Sequence, residues 1–146
     1  LRENDLQKVR DACQKFALSP ASILIYLEGT RFTPKKWEQQ GQLYQYLLKP
    51  KAGGATMILD VMKDKLHRMI DITVVYAKEK PSLWDFFCGN IPKVTILIQE
   101  IPMERILASY KTSDDFREHT EQWINQLWQE KDQKIHQIKM QNQKIA

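Results

Sequence analysis

The sequence predicts an α/β fold: a mostly parallel sheet flanked by helices, with a long helix closing the chain. Three observations carry this reading. Short apolar runs bounded by turn residues recur at 22–27, 70–77 and 93–100. Segments with apolar residues every three or four positions precede the first run and separate it from the second. Helices standing between apolar strands are the pattern of α/β sheets with parallel pairing.

Taken in order, Leu6, Val9, Cys13 and Phe16 recur at helical spacing, so residues 3–17 read as an amphipathic helix that Ser19 and Pro20 end. Residues 22–27 are short and apolar and suit a buried strand. From 31 to 51 the chain is polar, basic and Gln-rich, an excursion around a short helical piece at 43–48. After Gly53 and Gly54, the set Ala55, Ile58, Met62, Leu66 and Met69 marks a second helix. "IDITVVYA" and "KVTILIQE" are the next strands, the latter apolar enough for burial on both faces. Phe116, Thr120, Trp123 and Leu127 form the stripe of the last helix, widened by Ile124 and Trp128, with Ser113 or Asp114 as its cap. Beyond Lys131 the composition turns to Gln and Lys with sparse Ile, so this helix is expected to project from the domain or fray. A partner-binding helix is the alternative. The chain thus divides into 1–112 and 113–146.

The 146 residues suffice for one domain with its own core, or for part of one. Net charge is +4, and its placement is more informative than its size. Residues 1–30 balance, 31–69 hold eight Lys and Arg against three acids, 70–102 come to −1, and 103–146 balance again. The excess therefore forms a local patch suited to phosphates or an anionic surface. A solvated face that aids solubility is the competing reading. The two cysteines, Cys13 and Cys88, form no spaced pair, which makes a reducing compartment the default. No apolar run approaches the ~20 residues of a membrane span. No signal peptide is expected, and the start at Leu1 is expected to mark an excised piece.

Ligands of open α/β sheets bind outside the carboxyl ends of strands. Glu28, Gly29, Thr30 and Arg31 fall where the first expected strand ends. Gly29 permits a sharp turn. Thr30 offers a hydroxyl, and Arg31 a planar fork that matches phosphate oxygens two at a time. Glu28 either holds that fork in a salt bridge or accepts a substrate hydroxyl. A purely structural Glu–Arg pair at a turn is equally open. "PSLWDFFCGN" adds Trp84, Phe86 and Phe87, either against lipid headgroups or buried on the sheet.

The stretch "ILIYLEGTRFT", followed by "LLKPKAGGATMIL" and "IDITVVY", resembles the 1-acylglycerol-3-phosphate acyltransferases of the glycerolipid acyltransferase family. It looks closest to a bacterial subgroup of inner-membrane proteins with Phe-Thr after the Glu-Gly-Thr-Arg core. The family's third block matches 28–31, with Leu27 where many members have Pro. Its lysine–x–glycine element matches Lys51, Ala52 and Gly53. Its fourth block matches 72–76, with Thr73 where Pro is common. The ending "WINQLWQEKD" is similar to the same subgroup.

The resemblance implies a reaction: a histidine oriented by an aspartate deprotonates the glycerol hydroxyl for attack on an acyl thioester, carried by CoA or an acyl carrier protein. It implies Glu28, Gly29, Thr30, Arg31, Lys51 and Gly53 at the substrate, with Arg31 and Lys51 on the phosphate of lysophosphatidic acid. Lys35 and Lys36 are expected to face an anionic membrane surface, on the cytoplasmic side of the inner membrane. No cofactor, metal or nucleic acid is implied. The family's Asn-His-x4-Asp block is missing: His67 has Asp71 one position too early and Leu66 in place of the Asn, and His119 and His136 sit on the last helix. His67 reads as an ordinary helix histidine. The chain is therefore expected to be the carboxyl-terminal portion of such an enzyme, inactive alone. A non-enzymatic module binding anions or a membrane surface is the alternative.

Overall fold

The computed structural model describes residues 22–78, 81–107 and 113–145, together with Gln7, Lys8 and Asp11. Those three are helical; the rest of the helix expected at 3–17 lies outside the described residues.

Thr33 and Pro34 open α1 (Pro34–Gln39). The threonine hydroxyl accepts the Lys36 N–H at 3.3 Å, and proline suits the first helical turn because its missing N–H has no partner there. The Trp37 indole then donates to the Tyr44 carbonyl at 2.5 Å. Residues 43–48 are not the helix their composition predicts but an irregular strap. Side chains of the last helix satisfy its backbone: Asp132 accepts the N–H groups of Gln45 at 2.9 Å and Tyr46 at 2.7 Å, and Trp128 donates to the Leu48 carbonyl at 3.0 Å. Backbone groups paired this way need no helical ladder.

α2 (Ala52–Met62) buries Ala55, Thr56, Met57, Leu59 and Met62. It ends earlier than its apolar spacing predicts. Leu66 lies in the following turn and Met69 in β1 (Arg68–Tyr76), so His67 is an exposed turn residue, not a helical one. β1 pairs antiparallel with β2 (Val94–Pro102), from Arg68 opposite Pro102 to Tyr76 opposite Val94. This overturns the mostly parallel sheet: the described residues form one two-stranded antiparallel sheet. A parallel return needs a crossover along the sheet, usually a full helix. Residues 77–93 carry only α3 (Leu83–Phe87), so the chain turns at the end of the sheet and comes back beside itself. Residues 22–27 join no ladder, and the first expected strand is absent.

α4 (Met103–Leu107) leads toward α5 (Ser113–Ile145), which lies across one face of the hairpin. Leu59, Ile101, Met103, Ile106, Phe116 and Leu127 form the core between them, with Leu66, Met69 and Trp123 packed against it. The expectation that α5 projects or frays beyond Lys131 fails. Lys131 and Ile135 are buried, Lys134 donates to Gln99 at 2.8 Å, and His136 meets the Tyr46 hydroxyl at 3.1 Å. The sheet and the strap supply partners that the local composition does not reveal.

Among the described residues the opposite face of the hairpin is uncovered. Ile72, Val74, Ile96 and Ile98 are exposed there, Ile98 at 70%, so β2 is not buried on both faces. The rings of Trp84, Phe86 and Phe87 are also exposed rather than laid against the sheet.

Candidate functional site

The Gly29 N–H donates to the Tyr26 carbonyl at 2.9 Å, closing a tight turn in which Gly29 takes φ 64°. Side chains other than glycine adopt that region only at a cost. The Lys51 N–H donates to the Leu27 carbonyl at 2.7 Å, which brings the start of α2 against this turn. The Lys51 side chain runs over Gly29: a Cβ there would sit 3.4 Å from its Cδ and 3.5 Å from its Nζ. Glycine at 29 therefore serves both the turn and the close approach of the lysine.

On the neighbouring residue, the Thr30 hydroxyl accepts a hydrogen bond from Lys36 Nζ. The sequence reading placed Lys35 and Lys36 together at a membrane surface, but the structure separates them. Consecutive helical residues point ~100° apart, and the Thr33 cap fixes which one faces Thr30. Lys35 is exposed, and Lys36 is half-buried. Arg31 is exposed beside this pair. Gly53, in the first turn of α2, is exposed, and a Cβ there would meet nothing within 4 Å. No contact in the structure requires glycine at 53.

Of the two roles open to Glu28, the salt bridge with Arg31 is not formed. Its half-buried carboxylate accepts the Leu48 N–H and lies in the field of the Lys131 ammonium. Burial nonetheless dominates and holds its pKa above the usual carboxylate value. Glu28 thus ties the turn to the strap instead of orienting the guanidinium. Among the described residues, the ion pairs engage Lys63, Arg68, Lys78 and Lys131, leaving Arg31, Lys36 and Lys51 without a carboxylate within 4 Å. Unpaired cations beside a glycine turn and a hydroxyl are the chemistry an anion would need. A separate cavity of about 460 Å³, lined by Asp71, Leu97, Gln99, Leu127 and Lys131 among others, contains none of these groups.

Sequence alone does not place two of these participants, Lys36 and Lys131, at the turn. Lys36 had a legible signal in the Thr33-Pro34 helix start, which fixes the direction of the next residues. Lys131 had none, because only the tertiary packing of α5 brings it near Glu28.

Comparison with known proteins supports an acyltransferase family relationship. The chain is 26% identical over 141 residues to 1-acyl-sn-glycerol-3-phosphate acyltransferase gamma of Mus musculus, covering 89% of this chain and 36% of that protein. It is 28% identical over 136 residues to the delta form of Homo sapiens, covering 87% of this chain and 33% of that one. It is also 27% identical over 128 residues to lysocardiolipin acyltransferase 1 of Mus musculus, covering 80% and 32%. The chain spans about a third of the length of these curated relatives. No family model and no solved structure matches it. Among the described residues, no helix is long and apolar enough to cross a membrane.

Proposed function

We propose that this chain supplies the phosphate-binding part of a glycerophospholipid acyltransferase. Its parent protein transfers an acyl group from a thioester, of CoA or an acyl carrier protein, to 1-acylglycerol-3-phosphate. The observation that carries this reading is the convergence of Lys36 and Lys51 on the Gly29-Thr30 turn, within a sequence related to acyltransferases. In the reaction the acceptor hydroxyl attacks the thioester carbonyl. An ester C–O bond forms, the C–S bond breaks, and the departing thiolate takes up a proton.

The role of the groups at the turn is to bind and orient. Arg31 and Lys51 hold the acceptor phosphate, Gly29 admits Lys51 to the turn, and Glu28 fixes the turn against residue 48. Gly53 lies in the first turn of the helix that Lys51 precedes. No histidine of this chain has the context of a base. His67 is in an exposed turn, His119 lies on α5, and His136 meets Tyr46. The 146 residues alone are therefore expected to give no turnover. An anionic membrane surface is the second partner, approached by Lys35 and by the exposed rings of α3.

In the full-length protein, Arg31→Ala is expected to lower kcat/KM for 1-acylglycerol-3-phosphate by roughly one to two orders of magnitude. A charge-assisted hydrogen bond contributes about 1.5–3 kcal/mol, and each ~1.4 kcal/mol is tenfold in rate. Lys35→Ala is expected to leave turnover unchanged and weaken low-salt cosedimentation with anionic vesicles. Equal, small effects of both substitutions on turnover would sink the phosphate role of Arg31.

A further inference from the structure

We infer that Lys36, acting with the Thr30 hydroxyl, determines acceptor specificity by binding the second negative charge of a phosphate monoester. This rests on the acyl-transfer reading above. Lys36 is held in place from three directions. Thr33 caps its helix, the Trp37 indole anchors the next residue to the Tyr44 carbonyl, and its own ammonium donates to Thr30 Oγ1. An ammonium has three donors and no acceptor, so two remain for a ligand. Because Thr30 accepts from Lys36, its own O–H is directed away and becomes a further donor.

The second ammonium at the site is Lys51, whose stem crosses Gly29. Residues 29 and 30 are consecutive, so their Cα atoms lie about 3.8 Å apart. The two lysines therefore meet consecutive residues of the turn, with Arg31 following on the chain. No described carboxylate lies within 4 Å of any of the three. The one acid in this stretch, Glu28, is turned toward Leu48 and Lys131. Three uncompensated cations exceed what a phosphodiester with one negative charge needs. A phosphate monoester, whose second pKa is near 6 and whose charge approaches −2 at neutral pH, matches them better. Lys36 is the cation whose position depends on a hydroxyl inside the turn, so it is the one assigned to the extra charge.

The test compares two acceptors in the full-length protein: 1-acylglycerol-3-phosphate, a monoester, and 1-acylglycerol-3-phosphocholine, a diester. Lys36→Ala is expected to raise KM for the monoester about tenfold. It should leave kcat within about threefold, KM for the thioester unchanged and any rate with the diester unchanged. Lys36→Arg should restore most of the loss. Lys36→Gln keeps an uncharged N–H donor on a stem one atom shorter, so it separates loss of charge from loss of fold, and it should behave like the alanine variant. An unchanged monoester KM, or thioester and monoester KM rising together, overturns the assignment while Arg31→Ala still reports on the reading beneath it. Absence of acyl transfer in the unmodified protein removes both.

Discussion

The two faces of the β1–β2 hairpin are made by alternate residues of the same strands, yet they meet opposite surroundings. The face under α5 carries Asp71, Thr73, Thr95 and Gln99 among its apolar residues. The face away from α5 carries the cross-strand pairs Ile72–Ile98, Val74–Ile96 and Tyr76–Val94, and these are exposed. The covered face is the more polar of the two. Cover follows complementarity at two positions: Lys131 and Lys134 of α5 reach Asp71 at 2.5 Å and Gln99 at 2.8 Å, so these two groups enter the interface paired, whereas the Thr95 hydroxyl is buried without a partner among the described residues. Apart from the exposed Arg68–Glu100 pair at one end, the other face offers mainly aliphatic area, worth about 25 cal/mol per Å² once something covers it.

The largest effect that sharpens this contrast is at the buried ion pair. Lys131 and Asp71 are both mostly shielded, and the ammonium also lies 4.7 Å from the centroid of the Trp128 ring. Lys131→Ala leaves Asp71 charged without a partner and is expected to destabilise the chain by about 3–5 kcal/mol in urea unfolding. Replacing both residues, Lys131→Met with Asp71→Asn, should recover much of that loss, since a buried pair exchanged for uncharged groups costs far less than a broken one. A loss below ~1 kcal/mol in the single variant would mean that water reaches the pair and that the two faces do not differ in kind.

A matched pair of aliphatic truncations then tests the faces directly. Ile101 sits in the core cluster, and Ile101→Ala should cost about 2–5 kcal/mol. Ile72, on the other face, is 53% exposed, and Ile72→Ala should fall within about 0.5 kcal/mol. Thermal unfolding of both variants measures the difference. Equal losses would show that Ile72 has a cover in solution, and the contrast between the faces would disappear.

How much of this was legible in the sequence depended on whether the deciding contact was local. The two strands were found from their apolar runs. α1, by contrast, has its start written in Thr33 and Pro34, although the apolar residues at 43–48 carry the stronger compositional signal. Those residues are pinned to Asp132 and Trp128, more than eighty positions away, and nothing local distinguishes them from a helix. Strand direction also lay outside the pattern, since apolar runs carry no orientation and only the short α3 connection decides it. At the site, the glycine turn and its phosphate-suited residues were visible as a string. Of the two roles open to Glu28, the salt bridge to Arg31 is not formed, because burial and the Leu48 N–H depend on a strap whose composition suggests a helix. Composition also suggested burial for β2 on both faces, and it has no means of telling which face a neighbouring helix will complement.

Glu28 gives the smallest effect and connects the covered face to the site, because the same Lys131 that pairs with Asp71 also acts on its carboxylate. Burial raises the Glu28 pKa above its ordinary value of 4.5, and the Leu48 N–H and Lys131 only partly offset this. A raised folded pKa makes the folded state the tighter proton binder. The stability contributed by Glu28 is therefore fully present below about 4.5 and is lost as pH rises through the raised folded value. Glu28→Gln keeps an acceptor for the Leu48 N–H and removes the charge. It should unfold at slightly higher temperature than the unmodified chain at neutral pH, and the gap should close on acidification toward pH 4.5. The same substitution placed on Lys131→Met should show a wider gap at neutral pH, because the cation that favoured the carboxylate is gone. A gap of the same size in both backgrounds would mean that Lys131 stabilises the covered face alone and has no hold on the turn.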